Sequence, residues 1–208
     1  MKKTDQNNKF QINDELIDNI INLIDNSDNK RILKNFNELH HADIAEILEE
    51  LTSDQATYII KLLDSEKTSD ILMELDDDDR ERILNNLSAK EIAEEVEELD
   101  TDDATDIISE LPEERQKRVI SKIEDKEHKA DIKELLKYDE DSAGGLMAKE
   151  LVKVNENWSV TRCVKEMRSQ ASEVTRVHSV YVVDNNDKLL GRLSLKDLLV
   201  ANPKSNIK

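Results

Sequence analysis

The sequence predicts a mainly α-helical chain in which a superhelical solenoid of short helices is followed by a small α/β unit. Two observations predict this fold class. Leucines recur every twelve residues through much of the chain, and apolar runs typical of strands begin only after residue 150. Hydrophobic residues make up 37% of the chain but aromatic residues only 3%, so we expect a core of aliphatic side chains.

The charge and cysteine content exclude several classes of protein. The chain carries 30 Lys and Arg against 48 Asp and Glu, a formal net charge of -18, and a general nucleic-acid binder of this charge would repel the phosphate backbone. The single cysteine, Cys163, excludes an intramolecular disulfide and fits a reducing compartment. The sequence has neither a secretory signal nor an apolar run long enough to span a membrane, so we expect a cytoplasmic chain.

The twelve-residue period predicts helices that end once in every repeat. A continuous helix would rotate each successive leucine by about 120° and leave no single face to bury. The helix must therefore be interrupted in each unit, and the units must stack on one another for stability. The repeat positions are Leu39, Leu51, Leu63, Leu75, Leu87, Leu99, Leu111 and Ile123.

The residues after the repeat leucines predict where each helix begins. Most are residue types that accept hydrogen bonds from the first turn of a helix: Thr52, Asp64, Asp76, Ser88 and Asp100, with Pro112 suited to a first helical position. Thr52 with Gln55 and Ser88 with Glu91 also have the spacing of a capping box. Each helix should span about eight to ten residues. A second apolar pair recurs within the units, and only Glu95 with Val96 departs from it.

The flanks of the repeat differ from it in pattern. Residues 10–38 predict a longer capping helix plus a connector, after nine polar residues that we expect to be disordered. Beyond residue 137 we predict strand 151–154, helix 159–169, strands 178–183 and 188–193, and helix 194–200. Gly144 and Gly145 mark the junction. The predicted domains are therefore 1–137 and 138–208.

The segment LDTDDATDIISELP places Asp102 and Asp106 four residues apart, and hence on one helix face. One divalent ion, or two neighbouring ions, would relieve the repulsion between these carboxylates. A solvated helix start favoured by the helix dipole is the alternative. We interpret the acidic run Asp76–Asp79 as a surface.

Three features together resemble a known family: the leucine-periodic acidic helices, the segment YDEDSAGGLM, and a β-α-β-β-α unit that ends in SLKDLLVANP. They resemble the cytosolic part of the MgtE family of magnesium transporters, which has an N-terminal superhelical domain followed by two CBS motifs. The resemblance covers roughly residues 15–208 and includes only the first CBS motif.

This resemblance implies that the chain is a Mg²⁺-sensing regulatory region at the cytosolic face of the cell membrane. Ions that bridge the acidic faces of the helical and CBS domains would favour the closed state of a pore carried by the full-length chain. By the same resemblance the metal ligands are Asp102, Asp106, Asp70 and Glu150. The CBS motif implies a homodimer.

Ser194 and Asp197 fit the positions at which CBS motifs hold ATP or another adenine nucleotide, and they equally fit a capping box. We expect Cys163 to be inert packing and Trp158 to cover the start of a helix. The four histidines show no spacing typical of a transition-metal site. The sequence shows no nucleophile with a base and no phosphate loop, which argues against an enzyme. The alternatives are a helical scaffold that docks a protein partner and a nucleotide-sensing CBS protein.

Overall fold

The computed structural model describes residues 12–170 and 179–207 and confirms the predicted fold class. The nine polar residues expected to be disordered, and residue 178 of the predicted strand 178–183, lie outside the described residues. The helices and strands are α1 (Asp14–Asp25), α2 (Asn29–Asn37), α3 (His41–Glu49), α4 (Ser53–Ile60), α5 (Ser65–Glu74), α6 (Asp77–Leu84), α7 (Ala89–Val96), α8 (Thr101–Ser109), α9 (Glu113–Lys122), α10 (Lys126–Leu135), β1 (Val152–Asn155), α11 (Val160–Gln170), β2 (Val180–Val183), β3 (Leu189–Leu193) and α12 (Leu195–Val200).

Contacts divide the chain into two compact units. The first runs through Leu99 and continues from Asp103 to Lys133, and the second contains Asp100–Asp102 and the chain from Glu134 onward. In the first unit α3, α5, α7 and α9 pack in sequence as alternate helices, and α4 packs against α6 in the same way. These helices therefore pack against the helix two places along, as expected of a repeat that turns at every unit.

The predicted caps begin the helices of the repeat. The side chains of Thr52, Asp64, Asp76 and Ser88 each accept a hydrogen bond from the backbone N–H three residues on. The capping boxes predicted at Thr52 and at Ser88 are both present. Pro112 lies at the N-cap, one residue before the first helical position. The helices from α3 to α10 are eight to ten residues long, as predicted.

The repeat leucines form the core of the first unit, with two exceptions. Leu51, Leu75, Leu87, Leu99, Leu111 and Ile123 are buried. Leu39 and Leu63 are half-buried. The second apolar pair, eight and nine residues after each repeat leucine, is more completely buried. Apart from Glu95, its members are at most 2% exposed except Ile120, at 9%: Ile47, Leu48, Ile59, Ile60, Ile71, Leu72, Ile83, Leu84, Val96, Ile107, Ile108, Val119 and Ile120. The periodic apolar residues thus supply the stabilising burial that helices of this length need.

Long cationic side chains cap the carboxyl ends of several helices, a feature that the sequence analysis did not predict. Lys67 Nζ donates to the carbonyl oxygens of Phe36, at 2.7 Å, and Leu39, at 3.1 Å. Further contacts of this kind run from Arg82 to Leu48 and Leu51, from Arg80 to Leu72 and Leu75, and from Arg115 to Leu84 and Leu87. The last carbonyls of a helix lack partners within it and carry its negative pole, so a cation stabilises them.

The connector predicted within residues 10–38 is itself helical, which corrects that prediction. Helix α1 ends at Asp25, Ser27 has a positive φ of 52°, and α2 begins at Asn29. Asp28 caps α2 by accepting from the Arg31 N–H. Asp28 is in register with the later caps, 24 residues before Thr52, but Ser27 stands where the other units have a leucine, so the leucine period did not mark this helix start.

The second unit contains a three-stranded sheet of order β1-β2-β3. Strand β1 is parallel to β2, with Val152 opposite Val180, and β2 is antiparallel to β3, with Val180 opposite Leu193. One face of the sheet packs on α11 and α12 around Val152, Val154, Val160, Cys163, Val180, Val182 and Leu198. Cys163 is fully buried, and burial raises the pKa of its thiol, in agreement with the predicted packing role.

Gly144 and Gly145 allow a close approach of the chain to itself before β1. A Cβ on Gly144 would lie 2.5 Å from the Tyr138 ring, and a Cβ on Gly145 would lie 2.4 Å from the carbonyl oxygen of Asp139. The Gly145 N–H donates to the Ser142 hydroxyl at 3.1 Å. The paired glycines are therefore required by packing against the 138–140 backbone and ring, not by a positive φ.

Candidate functional site

The candidate ligands Asp102 and Asp106 both lie on α8, one turn apart. Asp102 is half-buried and Asp106 is exposed. Between them Ala104 and Thr105 are buried, so the two aspartates share the outer face of the helix. The hydrogen bond to Glu110 is the largest cause that raises the pKa of Arg80, and the charge of Asp106 adds a smaller contribution. Asp106 therefore already contributes to the electrostatics of the helical unit.

The candidate ligand Glu150 binds the first residue of α8. Its Oε1 accepts from the Thr101 backbone N–H at 3.1 Å, and its Oε2 accepts from the Thr101 hydroxyl at 2.8 Å. The Lys149 N–H donates in turn to the same hydroxyl at 3.0 Å. Thr101 is only 1% exposed. Glu150 thus satisfies a helix N-terminus from 49 residues away, and its carboxylate is held beside the residue that precedes Asp102.

The candidate ligand Asp70 lies on α5, close to an imidazole. Its Oδ2 lies 3.7 Å from His41 Nδ1, and Glu74 Oε1 lies 3.4 Å from His41 Nε2. The ring of His41 therefore lies between two carboxylates on successive turns of α5. This ties the start of α3 to α5 and gives Asp70 a partner within the helical unit.

One carboxylate cluster that the sequence analysis did not assemble is present among the described residues. Glu49, Asp76 and Asp79 each offer an oxygen within 4.8 Å of the others. Burial is the largest cause that raises the pKa of Glu49, followed by the charges of Asp76 and Asp79. Asp76 also caps α6, and Asp79 accepts from Arg82 Nε. No local sequence signal joins Glu49 to the acidic run, because helix stacking brings them together.

Ser194 and Asp197 form a capping box at the start of α12. The Asp197 N–H donates to Ser194 Oγ at 3.1 Å, and the Ser194 hydroxyl donates to Asp197 Oδ2 at 2.7 Å. The hydrogen bond from the Ser194 side chain is the first cause that lowers the pKa of Asp197, and the one from its backbone is the second. The capping interpretation is confirmed, and nucleotide binding at these residues stays a prediction.

Two open grooves lie in the CBS-like unit. One, of about 390 Å³, is lined by Asn155, Trp158 and the β2–β3 turn, and the other, of about 370 Å³, by Val182, Leu190, Gly191 and Leu193 among others. The Arg162 guanidinium carbon lies 4.2 Å from the centre of the Trp158 ring. The Trp158 ring also packs on the core at the start of α11, as the sequence predicted, while its face binds a cation.

The sequence model of the MgtE intracellular N domain matches residues 39–141, and that of the CBS domain matches residues 143–204. The chain belongs to the MgtE family. These two domains account for the repeat helices and for the three-stranded sheet described above.

Similar curated proteins are magnesium transporters of the MgtE type. The one from Thermus thermophilus is 41% identical over 73 residues, the one from Enterococcus faecalis 37% over 67, and the one from Bacillus subtilis 29% over 73. These segments cover 35%, 32% and 35% of this chain but only 16%, 15% and 16% of the relatives.

Two solved structures are similar over most of this chain. One is the soluble part of a magnesium transporter, with a TM-score of 0.77, 24% identity, and coverage of 93% of this chain and 76% of the other. The second is the cytosolic domain of the Mg²⁺ channel MgtE in complex with ATP, with a TM-score of 0.83, 28% identity, and coverage of 92% and 78%. Within the described part of this chain, no helix is both long and apolar enough to cross a membrane.

Proposed function

We propose that this MgtE-family chain is a cytosolic Mg²⁺-sensing regulatory region and not an enzyme. Ions bound to acidic faces of the helical and CBS domains draw the domains together and favour the closed state of a pore in the full-length protein. Asp102, Asp106, Asp70 and Glu150 are the proposed ligands. Mg²⁺ suits them because it accepts oxygen ligands, keeps several of its waters, and is often held by one or two carboxylates.

The observation that carries this proposal is the bond between Glu150 and Thr101. It fixes an acidic side chain from the segment before β1 at the start of the helix that bears Asp102 and Asp106. Glu150 is thereby bound to Thr101, and Thr101 directly precedes Asp102, the second proposed ligand, in the chain. The similarity to proteins named as magnesium transporters supports Mg²⁺ as the ion.

A Mg²⁺ titration followed by residue-resolved NMR tests the proposed ligands. We expect saturable shifts of the α8 amides in MgCl₂ that are missing in NaCl of equal ionic strength, because site binding saturates whereas screening does not. The double variant Asp102→Asn, Asp106→Asn should lose most of this response. The matched control Glu113→Gln, Glu114→Gln removes two exposed acids from the start of α9 and should retain it. Equal responses in both salts would instead favour the protein-docking scaffold.

We further propose that the CBS unit forms a homodimer. Its exposed apolar side chains include Leu189 and Leu190 on β3 and Leu199 and Val200 on α12, between 50% and 81% exposed. Burying such a surface against a second copy is favourable. Sedimentation at increasing concentration should show a dimer that Leu199→Asp weakens, whereas a monomer at every concentration contradicts this proposal.

A nucleotide-binding function is the second candidate, favoured by the similar structure that is described as a complex with ATP. In this proposal Asp197 holds the ribose of an adenine nucleotide while it caps α12. Asp197→Ala should abolish ATP binding measured by calorimetry. Asp184→Ala, at the opposite end of the sheet in the β2–β3 turn, is the matched control. ATP binding that is unchanged in Asp197→Ala would remove Asp197 from the site.

A further inference from the structure

Glu95 on α7 occupies a position that is apolar in the other units of the repeat. The equivalent residues are Ile47, Ile59, Ile71, Ile83, Ile107 and Val119, and all of them are fully buried. Glu95 is half-buried, and its Oε2 is shielded from solvent with no hydrogen-bond partner among the described residues. A carboxylate at such a position is costly, because burial removes water without supplying a donor.

Four acidic side chains, from the start of α5 and from α7, act on the Glu95 carboxyl group. Asp64 approaches from the start of α5, and Glu91, Glu94 and Glu98 lie on α7 itself. Burial is the largest cause that raises the pKa of Glu95 to about 8, and these four charges add to it.

Four cations and one histidine on α7 and the helices around it are engaged elsewhere. Lys61 Nζ, at the end of α4, lies 2.8 Å from Glu91 Oε1, and Lys90 Nζ lies 2.6 Å from Glu94 Oε1. On α9, which also packs against α7, Arg115 donates to the Leu87 carbonyl and Lys117 pairs with Glu113. On α10, His128 Nε2 lies 3.0 Å from the Val96 carbonyl oxygen. In each case the positive or titratable group has a partner other than Glu95.

A backbone contact places Glu95 at the junction of α5 and α7. The Ser69 hydroxyl lies 2.8 Å from the Glu95 carbonyl oxygen and 2.6 Å from that of Ser65. Ser69 is 1% exposed, so this is a tightly packed part of the stack. A negative charge on the Glu95 side chain would therefore act at the contact between α5 and α7.

We propose that the Glu95 carboxyl is a proton-binding site that controls the packing of α7 in the helical stack, which is tight while the proton is bound and loosens when it leaves. The proposal does not depend on Mg²⁺ binding, since Glu95 is not among the proposed ligands. It makes the helical unit sensitive to pH at one identified helix.

The direction of the effect follows from proton linkage. In the unfolded chain this carboxyl titrates at its ordinary pKa of 4.5, and in the folded chain the pKa is about 8. Between these values the folded state holds a proton that the unfolded state does not. The stability of the fold therefore decreases as the pH rises through this window and changes no further from this group above it.

Two measurements on the unmodified chain test the proposal. In a ¹³C NMR titration the Glu95 side-chain carboxyl should titrate above pH 7, and a midpoint near 4.5 would overturn the proposal. Hydrogen exchange, corrected for the intrinsic rate, should show less protection of the Ile92, Ala93 and Val96 amides at pH 9 than at pH 6. Equal protection at both values would also overturn it.

Substitutions test whether the pH dependence of stability arises from Glu95. Between pH 5 and pH 8 the unfolding constant from urea titrations should rise in the unmodified chain by at least about tenfold more than in Glu95→Gln, allowing for partial solvent screening. Glu95→Leu, which restores the apolar repeat residue, should match Glu95→Gln. The control Glu81→Gln changes an exposed acid on α6 that is not among the charges acting on Glu95, and it should keep the full pH dependence. An identical pH dependence in Glu95→Leu and the unmodified chain contradicts the proposal.

Discussion

Glu150 binds both the backbone N–H and the hydroxyl of Thr101, although 49 residues separate the two in the chain. An acceptor at the start of α8 thus comes from the segment that leads to β1. One carboxylate thus both caps α8 and stands as a proposed ligand.

The first prediction concerns this contact. Glu150→Ala should lower the free energy of unfolding by about 1 kcal/mol, because the first N–H of α8 and the buried Thr101 hydroxyl each lose a hydrogen bond to the Glu150 carboxylate. Urea unfolding in the absence of Mg²⁺ measures the loss without any contribution from metal. The exposed Glu140→Ala serves as control. A Glu150→Ala variant as stable as this control would show that the cap contributes nothing.

A second prediction concerns the cations that cap helix ends. Arg115→Met should cost about 1 to 3 kcal/mol, since the carbonyls of Leu84 and Leu87 lose a charged donor while the aliphatic part of the side chain is retained. Arg118→Met, on the exposed face of the same helix, should be near neutral. Equal stability of the two variants, measured by urea unfolding, would contradict the capping role.

A third prediction compares two glycines that differ in the space around them. Gly145→Ala places a methyl group against the backbone of Asp139 and Glu140, so that the chain must shift and thermal stability should fall. Gly191→Ala on β3 meets nothing within 4 Å and should be neutral or slightly stabilising. The melting temperatures of the two variants should therefore differ in this order, and the reverse order would contradict the packing argument.

The fourth prediction tests the repeat itself. Leu75 is 4% exposed, so Leu75→Asp buries an unpaired charge and should destabilise the helical unit by several kcal/mol. Leu146→Asp makes the same chemical change at a side chain that is 76% exposed and should be tolerated. Circular dichroism during urea unfolding distinguishes the two. A fully helical Leu75→Asp variant of normal stability would contradict the repeat interpretation.

The parts of the fold that were predictable depend on neighbouring residues. The leucine period, the N-cap residues and the strand runs predicted the repeat helices and the sheet, because capping and amphipathicity act over a few residues. The contacts from Lys67 and Arg115 to helix ends, and the approach of Glu49 to Asp76, span 27 to 31 residues and depend on how helices stack. No local pattern encodes that geometry.

The candidate site, too, was predictable only where it depends on neighbouring residues. The pairing of Asp102 with Asp106 on one helix face followed from their spacing of four residues. The cap that Glu150 provides could not be predicted, since nothing near Glu150 in the sequence marks Thr101 as its partner. Glu95 is an intermediate case, because its departure from the apolar pattern was visible while its shielded carboxyl oxygen was not.

The most direct test of Mg²⁺ sensing is small-angle X-ray scattering in MgCl₂ and in NaCl of matched ionic strength. A chain of net charge -18 repels itself, and divalent ions held between carboxylates relieve this repulsion more effectively than monovalent screening. The radius of gyration should therefore be smaller in MgCl₂, and the double variant Asp102→Asn, Asp106→Asn should reduce the difference while keeping its helical content. Equal compaction in the two salts would contradict the account, leaving these aspartates as a solvated helix start.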